Sequence, residues 1–265
     1  MFAELSTGCR SERFQSTVWL RGLTACAVLI ATACWSLGVQ AADPEVPPPA
    51  GKEAQPAAKQ TGRDAKTGWP LVFEDDFEHG ADRWDPVDRE GWRIERLEDG
   101  NHIFHQHLKS SSYTPQHRSP LHQAYAKDLK VGSFVLEARV RSTHPDYGHR
   151  DACVFFGREN PSRLYYVHFG QKTDDHANQI FIVNDSPRAK ISTQTNPGTP
   201  WDEAWHQVRI ERDAKAGTID VYFDDLDRPA MKAVDTTFAE GAIGIGSFDD
   251  TAAWDNVRIY APDSP

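Results

Sequence analysis

The sequence predicts an all-β protein, a two-sheet antiparallel jelly-roll sandwich, and three observations carry that expectation. Short runs with period-two alternation of apolar and polar residues recur from Trp69 to the C-terminal region. Gly, Pro, Asn and Asp separate these runs at turn-like spacing. No amphipathic helical period stands out over the same stretch. A chain of 265 residues with 39% hydrophobic residues suits one core, since all-β units commonly reach about 200 residues.

In chain order, residues 1–42 read as a secretory signal. Arg10, Arg13 and Arg21 precede the apolar run Leu23 to Val39, and Val39-Gln40-Ala41 offers small residues for cleavage near Ala41 or Ala42. The run is short for a spanning helix of about 20 residues, so the mature chain is expected to have no integral membrane span and to be secreted or periplasmic. Residues 43–67, with Pro44, Pro47, Pro48, Pro49 and Pro56, read as a disordered Pro/Ala-rich linker. Residues 68–262 form the folded domain. Its expected strands include 71–77, 92–97, 102–107, 123–128, 133–142, 152–157, 164–170 and 179–184. Further strands are expected at 206–212, 218–224, 230–234, 242–247 and 255–260.

The formal charge of −10 leaves no basic run with which to neutralise phosphates, which argues against nucleic acid as a partner. An acidic polysaccharide stays open, because Arg139, Arg141, Arg150, Arg163, Lys172, Arg188 and Lys190 are locally basic positions and local sign matters more than the total. Cys9, Cys26 and Cys34 fall in the signal. Cys153 alone remains, with no partner for an intrachain disulfide, and its apolar neighbours Ala152 and Val154-Phe155-Phe156 mark it as a buried thiol. The mature chain is expected to be a monomer stabilised by packing.

Function is most legible between residues 133 and 192. In Phe134 to Arg141, alternation puts Phe134, Leu136, Ala138 and Val140 on one face, with Glu137, Arg139 and Arg141 on the other. In Arg163 to Gly170, Tyr165, Val167 and Phe169 point to a core, and Tyr166 and His168 share the opposite face. Around them cluster His149, Asp151, Lys172, His176, Asn178 and Gln179. His trades protons near neutral pH, while Arg, Asn and Gln stabilise developing negative charge. His149, Asp151, Tyr166 and His168 are therefore the candidate catalytic residues. Glu137, Arg139, Arg141, Lys172, His176, Asn178 and Gln179 are the candidate binding residues, together with Trp201, which follows Pro197-Gly198-Thr199-Pro200 in a loop and offers a flat stacking face. His149, Asp151, His168 and His176 also supply donors for a metal, without the close His-x-x-x-His spacing that fixes geometry.

The C-terminal third reads Ala204-Trp205-His206-Gln207-Val208-Arg209-Ile210, Gly217 to Asp224, Gly241-Ala242-Ile243-Gly244-Ile245-Gly246-Ser247 and Trp254-Asp255-Asn256-Val257-Arg258-Ile259. With Phe73-Glu74-Asp75-Asp76-Phe77, this succession resembles concanavalin A-like lectin/glucanase domains over most of Trp69 to Pro262. It is most similar to secreted domains described as 3-keto-disaccharide hydrolase-like. The resemblance implies two packed antiparallel sheets and a groove for a glycan or glycoside. It also implies a structural calcium between the first and last strands, placed here on Asp75, Asp76 and Asp255, and no organic cofactor. Glu74, Asp76 and Glu78 match the spacing of the catalytic acids of laminarinase-like members, but they lie on the opening strand instead of a central one. The chemistry stays open among a glycoside hydrolase using Asp151 or Glu137, a lyase using Tyr166 or His168 as base, and a carbohydrate-binding domain without turnover.

Overall fold

The computed structural model describes residues 62–263. The expected signal segment and the linker up to residue 61 lie outside the described residues. Residues 62–67, expected to end the linker, belong to the fold: Arg63 bridges Pro70, and Asp64 is buried against Arg209.

Sixteen strands run through the described residues. They are β1 (Leu71–Asp75), β2 (Trp84–Pro86), β3 (Trp92–Arg96), β4 (His102–Gln106), β5 (His122–Val131), β6 (Phe134–Ser142), β7 (Cys153–Asn160) and β8 (Arg163–His168). There follow β9 (Gln179–Asn184), β10 (Ala189–Lys190), β11 (Ser192–Thr195), β12 (His206–Asp213), β13 (Thr218–Phe223), β14 (Met231–Val234), β15 (Gly241–Ser247) and β16 (Ala252–Tyr260). A single 3-10 turn, Arg89–Gly91, is the only helical element among the described residues, and no helix there is long and apolar enough to cross a membrane.

The strands form two antiparallel sheets, as the alternating pattern predicts. The first runs β11-β14-β13-β12-β6-β16-β4-β3, with β1 also paired to β16. The second runs β10-β9-β8-β7-β15-β5-β2. Strand β16 serves two partners along one edge, pairing β4 at Ala252–Trp254 and β1 from Val257 onward. Between the two stretches Asn256 takes a positive φ of 49°, a conformation Asn tolerates better than most residues.

The core lies between the sheets and follows the period-two reading. Phe134, Leu136, Ala138 and Val140 of β6 face Val154 and Phe156 of β7, Tyr165 and Val167 of β8, and Ile243 and Ile245 of β15 in one buried cluster. Fully burying a large apolar side chain contributes about 1.5–3 kcal/mol, so this layer accounts for the fold without a disulfide. Cys153, as expected, is a free and buried thiol.

Two consequences matter for function. Strand β6 lies in the first sheet, whereas β7, β8 and β9 lie in the second, so their outward side chains leave the sandwich on opposite sides. In addition, β7 begins, β8 ends, β9 begins, β15 ends and β5 begins at the same end of the second sheet, because Cys153 pairs His168, His168 pairs Gln179, Gly246 pairs Cys153 and Ser247 pairs His122. The loops attached there converge.

Candidate functional site

The outward face of the second sheet carries an aromatic row. Phe181, Tyr166, Phe155 and Tyr125 sit in register on β9, β8, β7 and β5, and Gly244 of β15 fills the place between Phe155 and Tyr125. Ring centroids are separated by 5.0, 6.2 and 5.9 Å along the row. Gly244 is required here, because a Cβ would lie 2.5 Å from the Ala124 carbonyl oxygen and 2.8 Å from the Tyr125 ring. The neighbouring row reads Gln179, His168, Cys153, Gly246 and Gln123, and above it opens a cavity of about 450 Å³.

Asp151 and His168 form the cavity floor with Phe248 and Asp249. Lys109, Arg118 and Tyr147 contribute from the loops before β5 and β7, while His149, His176 and Arg188 complete the wall. The sandwich thus supplies a rigid floor, and loops supply the rim, a common division of labour in binding sites.

Asp151 is 1% exposed, and its Oδ1 accepts a hydrogen bond from the Phe248 backbone N–H at 2.7 Å. Burial, and after it the charge of Asp250, pushes its pKa well above the usual carboxylate range, favouring the protonated acid. Asp250 is itself held in place: the Tyr147 hydroxyl donates to its carboxylate at 2.7–2.8 Å, and the Asp151 N–H donates at 3.2 Å. Asp249 is half-buried, and Asp151, Asp249 and Asp250 each place a carboxylate oxygen within 4.8 Å of the other two.

His168 has one tautomer that its surroundings satisfy. The Asn178 backbone N–H donates to its Nδ1 at 3.2 Å, so the proton of the neutral ring belongs on Nε2. Burial, followed by the charge of Arg188, lowers its pKa to about 3 and keeps the ring neutral. Nε2 lies 3.8 Å from Asp151 Oδ2, too far for a hydrogen bond, and a neutral ring beside a protonated acid makes no ion pair. His168 is therefore a hydrogen-bond donor toward the cavity. It is poorly suited to be a general base or a metal ligand, since a ligating imidazole normally donates from its other nitrogen.

The residues expected from the sequence divide sharply. His149, Asp151, His168 and His176 come together around the cavity. Tyr166 points to the same face but is fully buried: its ring stacks on Phe181, its hydroxyl accepts a 2.8 Å hydrogen bond from Arg188, and burial pushes its pKa far up, so it cannot serve as a base. Asn178 and Gln179 hold the β8–β9 loop. The Asn178 amide donates to Thr173 and Asn196 at 2.6 and 2.7 Å, and Gln179 donates to the Asp174 carbonyl at 2.9 Å. Lys172 is exposed beside Gly148, off the cavity lining.

Glu137, Arg139 and Arg141 lie on the other side of the molecule and do not join this surface. Glu137 is buried against Arg209 at 2.6 Å, Arg139 sits 3.6 Å from Asp255, and both Arg139 and Arg141 stack on the Trp205 ring. Period-two reading put these side chains on one face of β6, but that face belongs to the first sheet and not to the one that carries the cavity. Trp201 is a core residue: its Nε1 donates to the Phe169 carbonyl at 2.8 Å and its ring packs on Phe223 and His206.

The expected calcium ligands do not assemble. Both Asp75 oxygens are used, one by the Phe77 N–H at 2.9 Å and the other by Trp84 Nε1 at 3.0 Å. Asp76 Oδ1 accepts the Glu78 N–H, while Asp255 Oδ2 accepts from Asn101 at 3.2 Å and lies beside Arg139. The acidic trio that does assemble is Asp151, Asp249 and Asp250, and it was missed apart from Asp151. Its fit to calcium is poor: Asp250 and one oxygen of Asp151 are already committed to protein donors, which leaves few of the six to eight oxygens that calcium takes.

Phe248, Asp249, Lys109 and Arg118 are cavity residues that sequence reasoning passed over. A usable signal existed for one group. Phe248-Asp249-Asp250 directly follows a strand whose outward positions are Gly244 and Gly246, and acids at such a strand end overlook bare sheet.

No family model matches this chain, and no curated protein does. Among solved structures it is similar to the carbohydrate binding module CBM66 from Bacillus subtilis, at 14% identity and a TM-score of 0.49 over 68% of this chain and 96% of that one. It is also similar to a protein of unknown function with a galectin-like fold from Bacillus subtilis, at 10% identity and a TM-score of 0.46 over 72% and 95% of the two chains. Lectin I-B4 from Griffonia simplicifolia, in its metal-free form, aligns at 13% identity and a TM-score of 0.42 over 71% and 97%. The two-sheet antiparallel sandwich of this chain is established above from its own strand pairing.

Proposed function

We propose that the cavity at the end of the second sheet binds a sugar and that the protein hydrolyses a glycosidic bond there, with Asp151 as general acid. One observation carries this reading: a buried carboxyl, biased to its protonated form, faces a cavity in which a second carboxylate, Asp249, lies within 4.8 Å. Glycosidases that retain anomeric configuration place their two carboxyl groups about 5–5.5 Å apart. In the proposed step Asp151 gives its proton to the glycosidic oxygen as the bond to the anomeric carbon breaks, and Asp249 meets the developing positive charge on that carbon. Water completes the hydrolysis and returns a proton to Asp151. His168, donating from Nε2, orients a sugar hydroxyl.

Elimination fits less well. Tyr166 is sealed beneath Arg188, and the only nitrogen His168 turns to the cavity already carries a proton. The second reading is a sugar-binding domain without turnover, favoured by the near-complete burial of Asp151.

The test is incubation of the protein with neutral and acidic polysaccharides and 3-keto glycosides, following reducing ends and absorbance near 230 nm together. Release of reducing ends, lost by about 100-fold or more in Asp151→Asn with ligand binding kept, is the expected result. Binding without turnover supports the second reading. A rise at 230 nm, or full turnover by Asp151→Asn, removes the proposed hydrolysis.

A further inference from the structure

Two guanidinium groups reach the cavity without a counter-ion. Arg188, from the turn before β10, lies with its Cζ 4.6 Å from the Phe181 ring centroid and 4.3 Å from that of Phe248. Arg118, from the connection into β5, lies 5.5 Å from the same Phe248 ring. Neither has a carboxylate within 4.0 Å among the described residues, and the sole side-chain acceptor they use is the Tyr166 hydroxyl, which takes one Arg188 N–H. Arg158, farther along the same face, repeats the pattern: it stacks 4.3 Å over Tyr125, has no carboxylate partner, and its buried Nε meets no acceptor.

The setting makes this informative. The chain has 39 acidic residues against 29 Lys and Arg, so carboxylates are in surplus, and Arg89, Arg93, Arg163, Arg209, Arg228 and Arg258 each find one. A guanidinium stacked on a ring keeps its in-plane N–H groups free, the geometry that grips an oxyanion with two parallel hydrogen bonds. The rings underneath exclude water from one side and strengthen that grip.

We propose that the natural ligand is an anionic glycan, one whose sugar carries an oxyanion as a uronate carboxylate or a sulfate ester, and that Arg118 and Arg188 receive this group. The inference rests on the cavity being a sugar site and adds the substrate class to it. The anionic group sits on the arginine side, and the hydroxyls and the bond to be cut face Asp151 and Asp249. The acidity of the protein as a whole does not oppose this, because the local sign of the field at a cleft governs what enters it.

Calorimetric titration of the protein with oligosaccharides of equal length tests the assignment, using a neutral glucan, a polyuronate and a sulfated galactan in separate arms at low and high salt. At least one acidic arm is expected to bind about ten-fold or more tightly than the neutral arm, with affinity falling as salt rises. The arm that binds identifies carboxylate or sulfate as the group received. Arg118→Gln, at an exposed position that leaves the fold alone, is expected to weaken the acidic ligand about ten-fold while leaving the neutral one unchanged. Arg188→Lys keeps the charge but loses the fork and is expected to weaken it as well, whereas Arg228→Gln, outside the cavity, is expected to change nothing. Neutral oligosaccharides binding as tightly as acidic ones, or indifference to Arg118→Gln, overturns the inference and leaves the sugar site standing. Failure of all three arms to bind overturns both.

Discussion

Two charged regions of this sandwich, the Arg209 network on the first sheet and the cavity on the second, are built on opposite electrostatic principles. On the first sheet, Arg209 is buried and donates to Asp64 at 2.8 Å, to Glu137 at 2.6 Å and to Glu211 at 2.8 Å, with Lys66 bonded to Glu211 beyond it. Within this network each charge meets an opposite charge of the chain. On the second sheet, Arg118, Arg158 and Arg188 rest on aromatic rings with no carboxylate, and Asp151 is held among other acids. The Arg209 network has satisfied its charges internally, whereas the arginines at the cavity rest on rings without a carboxylate. That contrast teaches which face awaits a ligand.

The comparison can be broken first by stability. Arg209→Ala strands buried carboxylates on the first sheet, so it is expected to destabilise the protein by about 3–5 kcal/mol in denaturant unfolding while leaving sugar affinity per folded molecule unchanged. A loss under 1 kcal/mol would show that this face is not held by the network.

A smaller and sharper effect lies in the pH dependence of the second face. Unfolded His168 titrates near 6.5 but near 3 in the fold, so on its own it makes stability fall as pH drops through that window. Asp151 does the reverse: its native pKa is raised from 3.8, so on its own it makes stability fall as pH climbs above that value. Just above pH 4, where raised Asp151 keeps its proton, the native pair holds one proton on Asp151 and the unfolded pair holds one on His168. Their slopes oppose each other. Asp151→Asn is therefore expected to uncover a rise of about 1.4 kcal/mol per pH unit between the two His168 values, and His168→Gln a fall as pH climbs above 3.8. Identical slopes in the wild type and both variants would show that neither group has the native protonation state assigned to it.

The smallest effect is an expected absence. Arg141→Gln, on the first sheet beside Trp205, should alter glycan affinity by less than two-fold, although the sequence alone made Arg141 a binding candidate. A ten-fold loss would move the site to that face.

Much of the fold was legible because side-chain alternation is a local property. The apolar faces of β6 and β8 were read residue by residue, and both are in the core. The missed strands, β2, β10 and β11, run two to four residues, and β2 contains Pro86, so they show too little periodicity to register. The site was half legible for a reason of topology. Alternation fixes which residues of one strand point the same way, but it does not say which sheet the strand joins. The loop of residues 143–152 carries the chain from the first sheet to the second, so Arg139 and His168 part company there. Asp249, Asp250 and Arg118 escaped because their placement depends on loops that meet only in three dimensions.

Backbone-amide NMR titration of the protein with its best-binding oligosaccharide tests the central claim most directly. Shifts gathered at residues 109–118, 147–151, 168–176, 188 and 248–250, with the Arg139, Arg141 and Trp205 amides unmoved, are the result this account requires. Shifts centred on Arg139, Arg141 and Trp205 instead would contradict it.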